Sequence, residues 1–243
     1  MNKGKSLFIT GISSDVGMSL VRKIINNYEI IIGQYRTHSE NLESLKREFG
    51  DKLILIQADL SVQAEVDKMV NQLREQYDVI DHIVHLASIP AQNLQFRKEN
   101  WSHVSENLDV SVRAIYIILQ ALLPAMVKQK YGKIVFMLSS YVIGVPPKYQ
   151  STYIVSKYAL LGLMNSLASE YSESGITFNG VSPDMIETKF LRGLPHIIIE
   201  QNAQNSKLKR NLTVEDVIPS FEKLLSDESD NITGRNYEIR NRV

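Results

Sequence analysis

The sequence contains no cysteine. That excludes disulfides, zinc–thiolate sites and a cysteine nucleophile, and says little about compartment. It has no charge bias either, since Lys+Arg and Asp+Glu both total 27. A nucleic-acid-binding chain usually carries a basic excess, so no nucleic-acid partner is expected. No run of about eighteen apolar residues exists, and the apolar run after the two lysines of Met1–Thr10 is too short for a signal-peptide core. The expectation is a cytoplasmic protein without membrane contact. The histidines His38, His82, His103 and His196 show no metal-ligand spacing with carboxylates, so no catalytic metal is expected. What is present is ordinary globular composition, 44% hydrophobic and 22% charged over 243 residues. This suffices for one large α/β core without a staple.

Two hydrophobic periods alternate along the chain. Short apolar runs predict strands at Ser6–Thr10, Glu29–Tyr35, Leu53–Gln57, Ile80–Ala87, Lys133–Ser139 and Thr177–Ser182, with a closing strand at Asn236–Ile239. Apolar residues three and four apart predict helices at Val16–Asn27, Asn41–Phe49, Val62–Gln76, Val104–Lys128, Tyr153–Tyr171 and Thr213–Leu225, the last capped by Thr213 with Asp216 three residues on. This alternation argues for a doubly wound parallel sheet covered on both faces. Residues 188–211 break the rhythm with Pro195, a short apolar run and a polar stretch. Such an excursion is either a surface helix or a lid over a pocket at the carboxyl ends of the strands.

The turn Thr10-Gly11-Ile12-Ser13-Ser14-Asp15-Val16-Gly17 joins the first strand to the first helix. Glycine there lets the backbone approach a pyrophosphate whose charge sits on the helix N-terminus. Asp15 fits this poorly, because a carboxylate about 6 Å from a diphosphate is repelled by roughly 2–3 kcal/mol at an effective dielectric near 20. It is expected instead that Asp15 or Ser14 caps the helix and points outward. Tyr153 and Lys157 are four apart on a helix and share a face. An adjacent ammonium favours the phenolate, making the pair an acid/base for a carbonyl/alcohol couple. Ser139 and Ser140 end the preceding strand, and Ser140 lies thirteen residues before Tyr153.

This set, together with Asp59-Leu60, Asn107, and Pro183 with Thr188, resembles the classical short-chain dehydrogenase/reductase family over about residues 5–240. The resemblance implies a single Rossmann-like domain over 1–243 with a seven-stranded, mostly parallel sheet. It implies hydride transfer between a nicotinamide cofactor and a ketone or secondary alcohol. Tyr153 would be acid/base, Lys157 its helper and ribose ligand, Ser140 the carbonyl orienter, and Asn107 the support of a water relay. The cofactor track would run through Gly11, Ser13, Ser14, Asp15, Val16 and Gly17, then Asp59 and Leu60 at the adenine, Ala87 and Ser88, and Pro183, Ile186 and Thr188 at the carboxamide. The tract Trp101–Met126 is similar to the family's dimerising helix, implying a homodimer or homotetramer. In pattern, 3-oxoacyl-carrier-protein reductases and sugar or secondary-alcohol dehydrogenases are the nearest members.

The chain departs from the family pattern at Asp15, at His85-Leu86-Ala87-Ser88, at Asp184 and at the end Tyr237–Asn241. His85 reads as a buried, hydrogen-bonded strand-end residue. The second strand ends without an acid but with Arg36 and Thr37. An arginine there meets a 2′-phosphate, so NADP(H) is expected over NAD(H). The substrate pocket is expected to be walled by residues 89–96, 141–149 and 188–200, with Tyr141, Tyr149 and Phe190 as an aromatic side. Two alternatives stand beside the ketone reductase. One is a non-catalytic homologue that binds a ligand or partner, and the other a sugar-nucleotide epimerase or dehydratase, for which the chain looks short.

Overall fold

The computed structural model describes residues 4–241; the first three residues, including Lys3, and the last two of the 1–243 span lie outside the described residues. Seven strands form one sheet: β1 (Ser6–Thr10), β2 (Ile30–Tyr35), β3 (Leu53–Gln57), β4 (His82–His85), β5 (Gly132–Met137), β6 (Ile176–Pro183) and β7 (Asn236–Ile239). Their order is β3-β2-β1-β4-β5-β6-β7. All six pairings are parallel, where the sequence reading allowed a mixed sheet. The helices are α1 (Asp15–Ile24), α2 (Glu40–Phe49), α3 (Gln63–Gln76), α4 (Trp101–Leu108), α5 (Ala114–Gln129), α6 (Ser151–Glu170), α7 (His196–Asn205) and α8 (Val214–Leu225).

The parallel arrangement follows from strands that are apolar on both sides, because helices must cover both faces. Alternate residues of each strand serve opposite layers. Phe8, Ile32, Ile83, Ile134 and Phe178 pack under α3, α5 and α6 through Leu73, Ile118 and Leu160. Leu7, Ile31, Val84, Val135 and Val181 pack under α1, α2 and α8 through Leu20, Leu45 and Phe221. Burying one such side chain contributes on the order of 1.5–3 kcal/mol.

The long helix expected over Val104–Lys128 differs in detail. It starts at Trp101, where Asn100 caps it by accepting the N–H of His103 at 2.9 Å. A π-turn, Asp109–Arg113, then interrupts it before α5. By length and apolarity the Trp101–Gln129 stretch could cross a bilayer, but half of its most apolar window is buried inside the molecule. Ile115, Ile118, Leu122 and Met126 lie in the core.

The order reversal falls between β1 and β4, each running out toward the same end of the sheet. Doubly wound sheets bind ligands at this switch point, outside the carboxyl ends of the strands. The segments that leave those ends are the glycine turn after β1, Arg36 after β2, Asp59 after β3, Leu86–Ser88 after β4, Leu138–Tyr141 after β5 and Asp184–Thr188 after β6.

Candidate active site

A cavity of about 320 Å³ opens at this end of the sheet. Of the residues expected from sequence, Ser13, Ser14, Asp15, Val16, Ser88, Tyr153, Lys157, Pro183, Ile186 and Thr188 line it. Gly11, Gly17, Arg36, Thr37, Asp59, Leu60, Ala87, Asn107 and Ser140 do not. The substrate side is built from Pro90, Ala91, Tyr141, Phe190, Leu191 and Leu194, with Met137, Gln150 and Met185 added to the segments expected. Tyr149 is off the wall, half exposed and in the left-handed backbone region (φ 66°), and Phe96 is 81% exposed.

The glycines act through backbone proximity. Gly11 has φ +70°, and a Cβ there would lie 2.9 Å from the Ala87 nitrogen. A Cβ on Gly17 would lie 2.6 Å from the Ile12 carbonyl oxygen. The turn is fixed from a strand neighbour by Gln34, which the sequence reading left without a role. Its buried side chain accepts the Gly11 N–H at 2.9 Å and donates to the Ala58 carbonyl at 2.7 Å. A buried amide in an otherwise apolar strand was the available signal.

Ser14 is the helix cap, accepting the N–H of Gly17 at 3.1 Å. Asp15 does not cap α1. Its carboxylate crosses the cavity mouth and accepts the backbone N–H of Lys189 at 2.8 Å. Lys189 opens a short 3-10 segment, Lys189–Gly193, that forms one wall of the cavity. The excursion 188–211 therefore divides in two. Its first part covers the cavity, and its second part is α7, a surface helix without a fully buried residue. A bridge between Ile186 and Leu212 closes its base. The carboxylate of Asp184 turns toward the C-terminus and accepts the N–H of Asn241 at 2.6 Å, while Asn241 accepts the N–H of Leu208 at 3.0 Å. Two departures from the family pattern thus form one tie that holds the far end of the excursion.

Tyr153 projects from the first turn of α6. Its ring centroid lies 6.5 Å from that of Tyr141 and 5.9 Å from that of Phe190. Burial pushes its phenol well above the usual tyrosine range, a hydrogen bond with Ser139 acts to lower it, and the Tyr141 phenol adds to the rise. Lys157 lies one turn further along α6, as its spacing predicts. Its Nζ donates to the Met137 carbonyl at 2.8 Å and lies 5.6 Å from the Tyr153 ring centroid. Burial lowers Lys157 itself to about 7, so near neutrality the lysine is only partly charged.

Two of the expected catalytic residues, Ser140 and Asn107, lie off the cavity wall. Ser139 lines the cavity and bonds Tyr153. Ser139 continues the extended strand beyond β5, whereas Ser140 is the first residue of a 3-10 turn, Ser140–Val142, capped by the Ser139 hydroxyl. Asn107 is buried away from the cavity, with its amide 3.4 Å from the His103 imidazole, which in turn meets Glu99 at 3.1 Å. Further along this helix, in the π-turn, the Ser111 carbonyl accepts from His85 at 2.9 Å.

On the adenine side, burial acts to raise the Asp59 carboxyl, but the hydrogen bonds from Ser61 and then the nearby Arg36 charge together bring it below the usual range. Arg36 is exposed at the end of β2. These residues fit a dinucleotide: a close-packed glycine turn before a capped helix, a cation beside the second strand, and a cavity running to Tyr153.

Known proteins place this arrangement. Residues 13–239 match the family model described as enoyl-(acyl carrier protein) reductase. The 3-oxoacyl-[acyl-carrier-protein] reductase of Staphylococcus aureus (strain N315) is 28% identical over 244 residues, covering 98% of each chain. That of Staphylococcus epidermidis (strain ATCC 12228) is 26% identical over 240 residues, covering 97% of each. Among solved structures, a 3-ketoacyl-(acyl-carrier-protein) reductase from Brucella melitensis complexed with NADH has a TM-score of 0.89 at 21% identity, covering 99% of this chain and 98% of that one. A protein assigned as an NAD(P)-dependent gluconate 5-dehydrogenase from Beutenbergia cavernae, with bound NADP, has a TM-score of 0.89 at 20% identity, covering 99% and 96%. The chain belongs to the short-chain dehydrogenase/reductase family and is a cofactor-dependent oxidoreductase resembling the 3-oxoacyl-carrier-protein reductases.

Proposed function

We propose that this chain is an NADP(H)-preferring ketone reductase with Tyr153 as its acid/base. The observation that carries this reading is the meeting of Ser139, Tyr153 and Lys157 on one apolar cavity that also reaches the glycine turn. A nicotinamide cofactor, when bound, would supply the hydride chemistry. The protein's own part is proton handling and orientation. Ser139 and Tyr153 both direct hydroxyls at the position of a substrate oxygen, which orients the carbonyl and stabilises charge developing on it. Tyr153 gives its proton to that oxygen, and Lys157, with its charge poorly solvated, favours the phenolate that remains. Ser139 replaces Ser140 in this role, and Asn107 takes no direct part. Phe190, Leu191 and Leu194 exclude water from the reacting centre.

Ser13, Ser14, Val16 and the Gly11 turn would hold the diphosphate, Asp59 and Leu60 would flank the adenine, Ala87 and Ser88 would contact the ribose side, and Pro183, Ile186 and Thr188 would face the carboxamide. Arg36 with Thr37 supports NADP(H), since a guanidinium meets a 2′-phosphate where an acid would meet a ribose hydroxyl. The reading includes one dinucleotide-binding domain over 1–243, a cytoplasmic setting, and a homodimer or homotetramer. The half-exposed Tyr116 and Tyr158 and the exposed Trp101 on α4–α6 favour self-association. 3-Oxoacyl thioesters and small apolar ketones are the substrates to try.

The test is consumption of NADPH with a panel of ketones that includes acetoacetyl-CoA. Turnover by the wild-type chain is expected, and its absence across the panel would remove the ketone reductase reading. Arg36→Ala should weaken NADPH about tenfold or more by calorimetry, the scale of one lost charge-assisted phosphate contact, and leave NADH nearly unchanged. Equal weakening of both would remove Arg36 from the phosphate.

A further inference from the structure

His85 occupies the end of β4 and is fully buried. Its two ring nitrogens contact different parts of the molecule. Nδ1 lies 2.7 Å from the hydroxyl of Thr10, the residue before Gly11. Nε2 lies 2.9 Å from the carbonyl oxygen of Ser111, in the middle of the π-turn. A carbonyl only accepts, so Nε2 carries the proton, Nδ1 is the acceptor and the Thr10 hydroxyl donates to it. Thr10 Oγ1 in turn receives the Ala87 N–H at 3.4 Å. The hydrogen bonds thus run one way from the glycine turn through the imidazole to the π-turn.

The surroundings keep this polarity. The ring meets Phe136 edge-on, with centroids 6.4 Å apart. Burial first, and then the Lys157 charge on α6, lower His85 to about 3 and hold it neutral. The π-turn packs directly against α6, the helix of Tyr153 and Lys157. Outside the His85 contact, the turn is tied by Arg113, which pairs with Asp109 at 2.7 Å and donates to the Ser61 carbonyl at 2.7 Å. The Ser111 hydroxyl is buried without a hydrogen-bond partner, so on this side the imidazole is what grips Ser111.

We infer that His85 is a positioning residue that couples the diphosphate-binding turn to the π-turn supporting Tyr153 and Lys157. The inference rests on the cofactor reading above. Cofactor that orders the Gly11 turn orders Thr10 and, through His85, fixes the π-turn behind α6. A packing role alone would need the ring's volume; coupling needs both of its nitrogens and the Thr10 hydroxyl.

The experiment measures NADPH affinity by calorimetry and amide hydrogen exchange of residues 109–113 with and without NADPH. It compares the wild-type chain with His85→Phe, Thr10→Val and His85→Gln. Phe keeps the volume and removes both hydrogen bonds, Val keeps the shape of Thr10 and removes its hydroxyl, and Gln can still donate to Ser111. NADPH should slow exchange in the π-turn of the wild-type chain. His85→Phe and Thr10→Val should lose that added protection by about tenfold, the scale of one buried hydrogen bond. His85→Gln should recover part of it. Where a ketone is turned over, His85→Phe should lower kcat more than it raises KM. If NADPH binds and the protection is absent, or persists in His85→Phe and Thr10→Val, the coupling is wrong while the cofactor reading stands. If the wild-type chain binds neither NADPH nor NADH, the cofactor reading falls and the coupling with it.

Discussion

At the scale of single residues, the site turns on which hydroxyl faces Tyr153. Ser139 and Ser140 are neighbours, yet Ser139 is the last extended residue and Ser140 opens a 3-10 turn. Counting thirteen residues back from Tyr153 passes through the segment 141–150, whose path no residue count fixes. The end of the strand decides instead. Ser139 is still extended and lines the cavity, whereas Ser140 already belongs to the 3-10 turn. Ser139→Ala should therefore lower kcat by about a hundredfold, in the range of losing one oxyanion-type donor. Ser140→Ala should change it far less, and steady-state kinetics of the two variants with a common ketone would check this. The reverse order would restore Ser140. Tyr153 and Lys157 were legible in the sequence because their spacing is set by a regular helix. The placements of Ser139, Ser111 and Gln34 were not, because they depend on where a strand ends, on a π-turn and on a buried amide's partners.

At the scale of elements, the strands and most helices were readable because apolar period and turn residues agree along the chain. β1, β3 and β7 fall on the residues expected. The π-turn was hidden, since a single widened turn leaves the apolar pattern on both sides intact. Asn107 lies in the helix before that turn and Ser111 within it. The cap of α8 was visible, and the structure shows the Asp216 carboxylate accepting the Thr213 N–H at 2.7 Å while pairing with Arg210 at 2.6 Å. Its carboxyl is held down to about 2, first by the Arg210 hydrogen bond. Asp216→Ala should lower stability by about 1 kcal/mol through loss of the capping contact. Urea unfolding checks this, and an unchanged midpoint would mean that the cap contributes nothing measurable.

At the scale of the whole molecule, the two ends of the sheet do different work. The carboxyl end holds the cavity. At the amino end, fully buried His82 lies 2.7 Å from the Tyr28 hydroxyl and 2.9 Å from that of Tyr131. Buried Lys133 pairs with Asp230 at 2.6 Å, and Lys5 with Asp227. Burial, then the charges of Lys5 and Lys133, lower His82 from 6.5 to about 3. The unfolded chain therefore takes up a proton near pH 6.5 while the folded chain does not. The stability from neutral His82 is fully present above that pH and is lost progressively as pH falls toward 3. The denaturation midpoint of the wild-type chain should fall more steeply over this window than that of His82→Gln, whatever their difference at neutral pH. Equal slopes would mean that His82 is protonated in the folded state.

The proposed reaction turns on Tyr153 delivering the proton in a nicotinamide-dependent reduction. The most direct measurement pairs NADPH binding with NADPH-consuming turnover for the wild-type chain and Tyr153→Phe. Tyr153→Phe should bind NADPH within about threefold of wild type, because it loses at most a weak contact to the cofactor. Its kcat should fall by about a thousandfold, the scale of removing a positioned acid. Turnover at the wild-type rate by Tyr153→Phe would contradict the account.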